Sequence, residues 1–339
     1  MIIHSKRNLY KIFLHVSYHN TARITYDKIM SEKPKLLMYG LTVMKKPLPT
    51  INGVGPSCLR IMRNSSRTVL EYLTGRFPKI AADTWTSRMG NGNVVDENGT
   101  RLSPDSRCRA GGYIFYYREI EEEAPIPFEE SVLYRDERIV VADKPHFLPV
   151  VPSGRYLRET LLVRLKRKLG LDDLVPLHRI DRETAGIVIF SHDLESRGKY
   201  ASLFQRHSVR KMYEALALDV PGLRFPVERA SRIVAGNPFF RMDEAQGPPN
   251  AYTRISVIEA KNGIARYRLE PLTGRKHQLR VHMAALGIPI INDRIYPVTQ
   301  PSAEDDLSRP LQLVARSVEF PDPLTGRPMY FESKMGLDG

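Results

Sequence analysis

Apolar positions are spread along the chain in runs of distinct periods. "GIVIF" (186–190) places four apolar residues behind a glycine without a polar break, and reads as a buried strand. "SVLYRD" and "RIVVADKP" are two shorter apolar runs on either side of the turn at Glu137, and read as paired strands. "KMYEALAL", "AYTRISVIEA", "IARYRLEP", "LQLVARSVEF" and "MYFES" are further strands. Helical spacing appears in "ETLLVRLKRKLG" (159–170). There Leu161, Leu162, Leu165 and Leu169 share one side, Arg and Lys take the other, and Gly170 ends the run. The basic side is expected to be solvated. Asp193 is placed to cap a helix running to about Arg206. "KHQLRVHMAALG" (276–287) reads as a second amphipathic helix closed by Gly287. Many strands with few helices between them predict an α+β fold with a mixed, largely antiparallel sheet.

The upstream half is punctuated differently. "KKPLPTINGVGPS" (45–57) is rich in Pro and Gly and reads as a linker. "SSRTVLEYLTGRFPK" (65–79) follows as a helix, with Ser66 in front and Val69, Leu70 and Leu73 on one face. Asn98-Gly99 is a hairpin-type turn, and "YIFYYRE" is a strand. "EIEEEAPIPFEE" (119–130) is acidic and twice broken by Pro, which disfavours regular structure and marks a boundary. Three parts are expected: a basic, disordered extension over 1–53, a small α+β module with its acidic connector over 54–125, and a large domain over 126–339.

Charge narrows the partner. Fifty-one Lys and Arg stand against 38 Asp and Glu, for a net charge of +13. Such a surplus favours a polyanion, nucleic acid before an anionic membrane. The first 50 residues hold nine Lys and Arg against two acids, but no signal-peptide core and cleavage site. They are too poor in Ser and Arg for a good transit peptide, and Met30 could equally be the start. No apolar run reaches the roughly 18 residues of a membrane span. Two cysteines, Cys58 and Cys108, build no disulfide framework and no zinc pattern, and His277 and His282 at i, i+5 face different sides of a helix. No metal and a reducing, cytoplasmic setting are expected.

The candidate chemistry lies in "PLHRIDRETAGIVIFSHD" (176–193). Asp181 sits between Arg179 and Arg182 at the mouth of the buried strand. A carboxylate among cations stays ionised and can act as a nucleophile or base. A surface ion-pair cluster would look the same. "PLTGRKHQLRVHMAALGIPI" (271–290) places Arg275, Lys276, His277 and Arg280 at a helix start, with His277 and Arg280 at i, i+3. Their anion could be an RNA phosphate or Asp181 itself. In "HSVRKMYEAL" (207–216), Lys211 and Tyr213 alternate onto one side of a strand. The tyrosine could stack on a flipped base or simply fill core.

These motifs, in this order, resemble the RluA family of pseudouridine synthases: "LHRIDRETAG", then "HSVRKMYEA", then "LTGRKHQLRVHMAALGIPIIND". "VLYRDERIVVADKPHFLPVVPSG" is similar to the family's opening motif and "LTGRPMYFES" to its C-terminal end, so the likeness spans about 130–335. The resemblance implies that Asp181 is the catalytic aspartate, Arg280 its arginine partner and Tyr213 the tyrosine against the target uracil. It implies that Arg179 helps fill the gap left by a flipped nucleotide, and that no cofactor or metal is used. The expected function is isomerisation of uridine in structured rRNA or tRNA, by a monomer. A non-catalytic RNA-binding protein on the same fold is the alternative, and a metal-dependent nuclease would need acid or histidine clusters that are missing. Arg182, Lys211, Arg275, Lys276 and His277 are the further RNA-binding candidates. Isoleucine at 180, Ala185 in "TAG", Ile255 and Val314 depart from the usual family residues without removing a proposed catalytic group. The 54–118 module is distantly similar to an S4-type RNA-binding domain.

Overall fold

The structure is a computed structural model describing residues 47–62, 68–118, 122–301 and 304–337. Most of the expected 1–53 extension, Met30 and Ser66 lie outside the described residues. The small module holds β1 (Ser57–Arg60), α1 (Val69–Arg76), α2 (Ala82–Gly90), β2 (Val94–Asp96) and β3 (Tyr113–Tyr116). Its strands form one antiparallel sheet in the order β1-β3-β2. Thr68 caps α1: its side chain accepts from Glu71 N while the Glu71 carboxylate accepts from Thr68 N, a reciprocal pair that satisfies two otherwise free donors. Leu73, Trp85, Val94 and Ile114 fill a core belonging to this module alone. Trp85 sits on α2, a helix the sequence pattern did not reveal, because Trp85 and Met89 are its only buried apolar residues.

The acidic connector has no regular structure from 122 to 130, as its prolines predict. It is nonetheless tied down. The Glu123 carboxylate accepts from the backbone nitrogens of Leu157, Arg158 and Glu159, and Arg164 donates to the carbonyls of Ile126 and Phe128.

Beyond it, eleven strands make one sheet: β4 (Ser131–Arg135), β5 (Ile139–Lys144), β6 (Val175–Pro176), β7 (Ala185–Ser191), β8 (Arg210–Leu218), β9 (Val227–Ala235), β10 (Met242–Ala245), β11 (Ala251–Lys261), β12 (Ile264–Pro271), β13 (Leu313–Pro321) and β14 (Pro328–Glu332). The main path runs β10-β9-β11-β12-β8-β13-β7-β5-β4. All pairings are antiparallel except β13 with β7. The sheet is therefore mixed and largely antiparallel, and the fold is α+β, as the strand-rich pattern predicts. Three helices accompany it: α3 (Leu161–Leu169), α4 (Arg197–Gln205) and α5 (Gln278–Ala285).

The uninterrupted "GIVIF" run has a direct cause. All seven residues of β7 are buried, Val188 and Phe190 in a cluster with Leu161 and Leu165, and Ile187 and Ile189 in a cluster with Tyr200 and Phe320. A strand covered on both faces has no outward position for a polar residue. Gly186 is required at its start. It has φ +110°, and a Cβ there would lie 2.3 Å from the Ala315 carbonyl oxygen, where β13 pairs in parallel with β7.

Two helix expectations need correction. The basic side of α3 is not simply solvated, since Lys166 is buried and donates to the Asp172 carbonyl, and Arg164 turns inward onto the connector. α5 is not amphipathic: Gln278 through Met283 are all buried. Its polar residues point inward because each has a partner there. His282 bridges the Ser231 and Thr253 hydroxyls, and Arg280 meets carboxylates. Asp193 accepts from Ser196 N at 2.9 Å, so it closes the turn leading into α4, and the helical residues start at Arg197.

Candidate active site

Four segments converge at the N-terminal end of β7. The loop before it carries Asp181, β8 carries Lys211 and Tyr213, the N-terminus of α5 carries His277 and Arg280, and the loop after α5 carries Asp293 and Tyr296. His178 fixes the first loop: its Nε2 accepts from Ile189 N at 3.1 Å, and its ring stacks on Phe204 at 4.7 Å. Burial, with Lys211 adding to it, holds this imidazole down at about 3, so it stays a neutral acceptor. Lys144, at the end of β5, is fully buried and donates to the carbonyls of Pro145 at 2.8 Å and Arg182 at 3.0 Å, which pins the loop from the other side. Burial lowers this ammonium to about 7, although Glu183 and Asp181 oppose the shift.

Asp181 is partly open, its side chain 25% exposed, whereas that of Arg280 is only 2% exposed. Arg280 Nη1 lies 3.4 Å from Asp181 Oδ2 and 3.7 Å from Glu183 Oε2. The rest of the guanidinium is occupied by Asp293, with Nε to Oδ2 at 2.8 Å and Nη2 to Oδ1 at 2.7 Å. A fork gripped on two sides cannot rotate, so Arg280 presents one nitrogen to Asp181 in a fixed direction. Burial works against its charge, but the Asp293 hydrogen bonds outweigh it and hold the pKa above the ordinary value.

His277 approaches the same carboxylate oxygen, Nε2 to Asp181 Oδ2 at 3.9 Å. It caps α5 in the left-handed region at φ 56°, a conformation uncommon for a residue with a side chain. The Tyr296 hydroxyl accepts from Met242 N at 2.8 Å and donates to Met242 O at 3.0 Å. That leaves it accepting from His277 Nδ1 at 3.0 Å, so Nε2 is the nitrogen left facing Asp181. Burial lowers the His277 pKa, with Asp181 pulling the other way.

Tyr213 packs at the edge of the cluster containing Tyr267 and Leu269. Its hydroxyl has no hydrogen-bond partner among the described residues. Burial raises its phenol above the ordinary value, and the Asp181 charge adds to this, so it is protonated at neutral pH. Lys211 donates to the Thr273 carbonyl at 3.2 Å, and burial lowers its ammonium to about 8.

The sequence candidates therefore divide into three groups. Asp181, Tyr213, Lys211, His277 and Arg280 are gathered into one partly open site. Arg182 is spent on a bidentate pair with Asp305 at 2.6 and 2.8 Å, a contact to Glu183 at 3.0 Å and a hydrogen bond to the Tyr156 hydroxyl at 3.0 Å. Arg179, Arg275 and Lys276 are exposed and have no carboxylate partner among the described residues, although Arg275 Nε donates to Asn250 O at 3.1 Å. Sequence reasoning missed Lys144, Glu183, Asp293 and Tyr296. Glu183, beside Arg182 in the quoted motif, was the most accessible to it.

A rigidly held, partly exposed carboxylate, two residues from the exposed Arg179, suits chemistry on a polyanion, and the comparisons name that chemistry. The family profile described as RNA pseudouridylate synthase matches residues 138–285. The chain is 31% identical over 224 residues to the dual-specificity RNA pseudouridine synthase RluA of Haemophilus influenzae, covering 63% of this chain and 97% of that protein. It is 32% identical over 227 residues to tRNA pseudouridine synthase C of Salmonella typhimurium, covering 61% and 85%. The solved human RNA pseudouridylate synthase domain containing 1 shares the fold, at 23% identity and a TM-score of 0.50, covering 63% of this chain and 86% of that one. The chain belongs to the RluA family of RNA pseudouridine synthases. It is accordingly an enzyme acting on RNA, an RNA pseudouridine synthase.

No helix among the described residues is long and apolar enough to cross a membrane, and no group of three or more His, Cys, Asp or Glu among them could hold a metal ion.

Proposed function

We propose that the chain isomerises uridine to pseudouridine in structured rRNA or tRNA, that Asp181 starts the reaction, and that the target nucleotide is flipped out of its stack to reach it. One observation carries this: a partly exposed carboxylate fixed by a buried arginine at 3.4 Å, at the end of a strand buried on both faces. Unstacking the target costs a few kcal/mol, least in a loop, and phosphate contacts from Arg179, Arg275 and Lys276 offset that cost. The carboxylate either attacks ribose C1′ or removes a sugar proton to give a glycal. In both routes the N1–C1′ bond breaks and its electron pair leaves with the uracil. The detached base turns in place and C5 bonds to C1′ as the carboxylate leaves C1′ or returns the sugar proton, and the C5 proton then leaves to a base. Tyr213 is a wall for the uracil and a phenol donor, because its raised pKa keeps it protonated. Removal of the C5 proton then falls to Asp181, which Arg280 holds in position.

Arg182, Lys211 and His277 support the site from within, through the contacts described above, while the exposed cations meet the backbone of the RNA. Residues 54–125 serve as an S4-like accessory RNA-contacting module with its connector, and 126–339 as the catalytic domain. The enzyme works as a cytoplasmic monomer, in a reducing setting that suits a chain with only two cysteines.

The test uses RNA carrying tritium at uridine C5. Wild-type protein should release tritium in step with pseudouridine formation, and Asp181→Asn should not. Release that persists unchanged in Asp181→Asn would remove Asp181 from the mechanism.

A further inference from the structure

The hairpin between β9 and β10 turns at Pro238, Phe239 and Phe240. Phe239 is 88% exposed and Phe240 37%, with ring centroids 5.6 Å apart and planes nearly perpendicular. A ring left this open forgoes the stabilisation that burial gives. The tip is nevertheless firmly held. Arg241 donates to Asp243 Oδ1 at 2.7 Å, to the Ile295 carbonyl at 2.7 Å, to Thr299 Oγ1 at 3.2 Å and to the Pro297 carbonyl at 2.9 Å. The loop it grips carries Val298, itself 74% exposed. The same loop carries Tyr296, which is bonded to Met242 on the hairpin and to His277 beside Asp181. The exposed aromatic tip and the partners of Asp181 are thus parts of one rigid frame.

The cations of that frame indicate what covers the tip. Exposed Arg275 and Lys276 lie just before the cap of α5, and Arg275 donates to the carbonyl of Asn250, whose side chain bonds Ile233 N at 2.9 Å and Ile233 O at 3.0 Å on β9. Aromatic faces and exposed cations carried on one hydrogen-bonded frame suit unpaired nucleotides, whose bases stack on the ring while phosphates meet the charges. An apolar protein face would leave those cations unpaired.

We propose that Phe239 is a stacking platform for an unpaired nucleobase of the substrate RNA near the uridine that is modified. This rests on the RNA-modifying function proposed above.

The test compares wild type, Phe239→Ala and Phe239→Trp on C5-tritiated bulk tRNA and large-subunit rRNA, with filter-binding Kd on the same RNAs. Phe239→Ala should raise KM and Kd about five-fold or more. Phe239→Trp should stay within about two-fold of wild type, because it keeps a π-face. The salt dependence of Kd should be the same in all three, since no charge changes. Phe239→Ala within two-fold of wild type in both constants overturns the proposal. So does a wild type that sediments as a dimer while Phe239→Ala is a monomer, which would make the tip a contact between copies. A wild type that releases no tritium refutes the proposed reaction instead, and the Kd comparison still decides the stacking.

Discussion

Asp293 is the residue on which the geometry of Arg280 depends. Asp293→Asn keeps the shape and removes the charge. The side chains of the pair are 1% and 2% exposed, and the two hydrogen bonds measure 2.7 and 2.8 Å. Asp293 Oδ1 also accepts from Ile295 N at 2.9 Å and Tyr296 N at 3.1 Å. The amide oxygen of asparagine is therefore claimed by the backbone, and its NH2 points at the guanidinium, donor against donor. Breaking a buried pair by removing one partner costs about 3–5 kcal/mol. Arg280 keeps Asp181 and Glu183 nearby, which places the loss at the lower end, about 3 kcal/mol. At about 2 °C per kcal/mol for a large domain, Tm falls by about 6 °C. The activity loss has a separate origin. Released on one side, the guanidinium shifts against Asp181, and a misplacement of about 1 Å costs about a hundred-fold in kcat. Thermal unfolding followed by circular dichroism, with tritium release at saturating RNA, measures both. A variant with Tm within 2 °C and kcat within two-fold of wild type would refute the claim that Asp293 positions Arg280.

Two further outcomes concern stability. Gly186→Ala forces a methyl against the Ala315 backbone, which is 2.3 Å from the ideal Cβ, so β7 and β13 must separate; a loss of about 3 kcal/mol or more in urea unfolding is expected, and a loss under 1 kcal/mol would contradict it. His178 and His282 are held by burial at about 3 and about 4, below the ordinary 6.5. From pH 6.5 down to about 4 the unfolded chain takes up protons that these two folded imidazoles refuse. Each therefore removes about 1.4 kcal/mol of stability per pH unit as pH falls. Unfolding free energies at pH 7, 6 and 5 should show this decline, His282→Asn should reduce it, and a flat profile would refute the assignment of neutral, buried histidines.

How much of this was legible in the sequence depended on whether a residue's reason lay nearby. β7 was legible because burial on both faces leaves an unbroken apolar run. The likeness of three separated motifs to one family pointed to Asp181 and Arg280, which the fold brings to 3.4 Å across 99 positions. α5 was misread because arginine and histidine count as polar in a helical pattern, whereas here they are buried with partners. β9 was missed because its inward positions include Arg229 and Ser231, which break the apolar alternation of a half-buried strand. Asp293 lies in a loop 13 residues past Arg280, and nothing in its neighbours announces a buried ion pair. For Arg182 and Lys211, charge alone could not separate cations open to RNA from those consumed by Asp305 and the Thr273 carbonyl.

The central claim is that the Asp181 carboxylate starts the isomerisation, and tritium release by Asp181→Asn under single-turnover conditions tests it most directly. The variant should keep the wild-type Tm within a few degrees, bind the RNA with comparable Kd, and release tritium at least about a hundred-fold more slowly. Release at the wild-type rate from a folded, RNA-bound Asp181→Asn protein would contradict the claim.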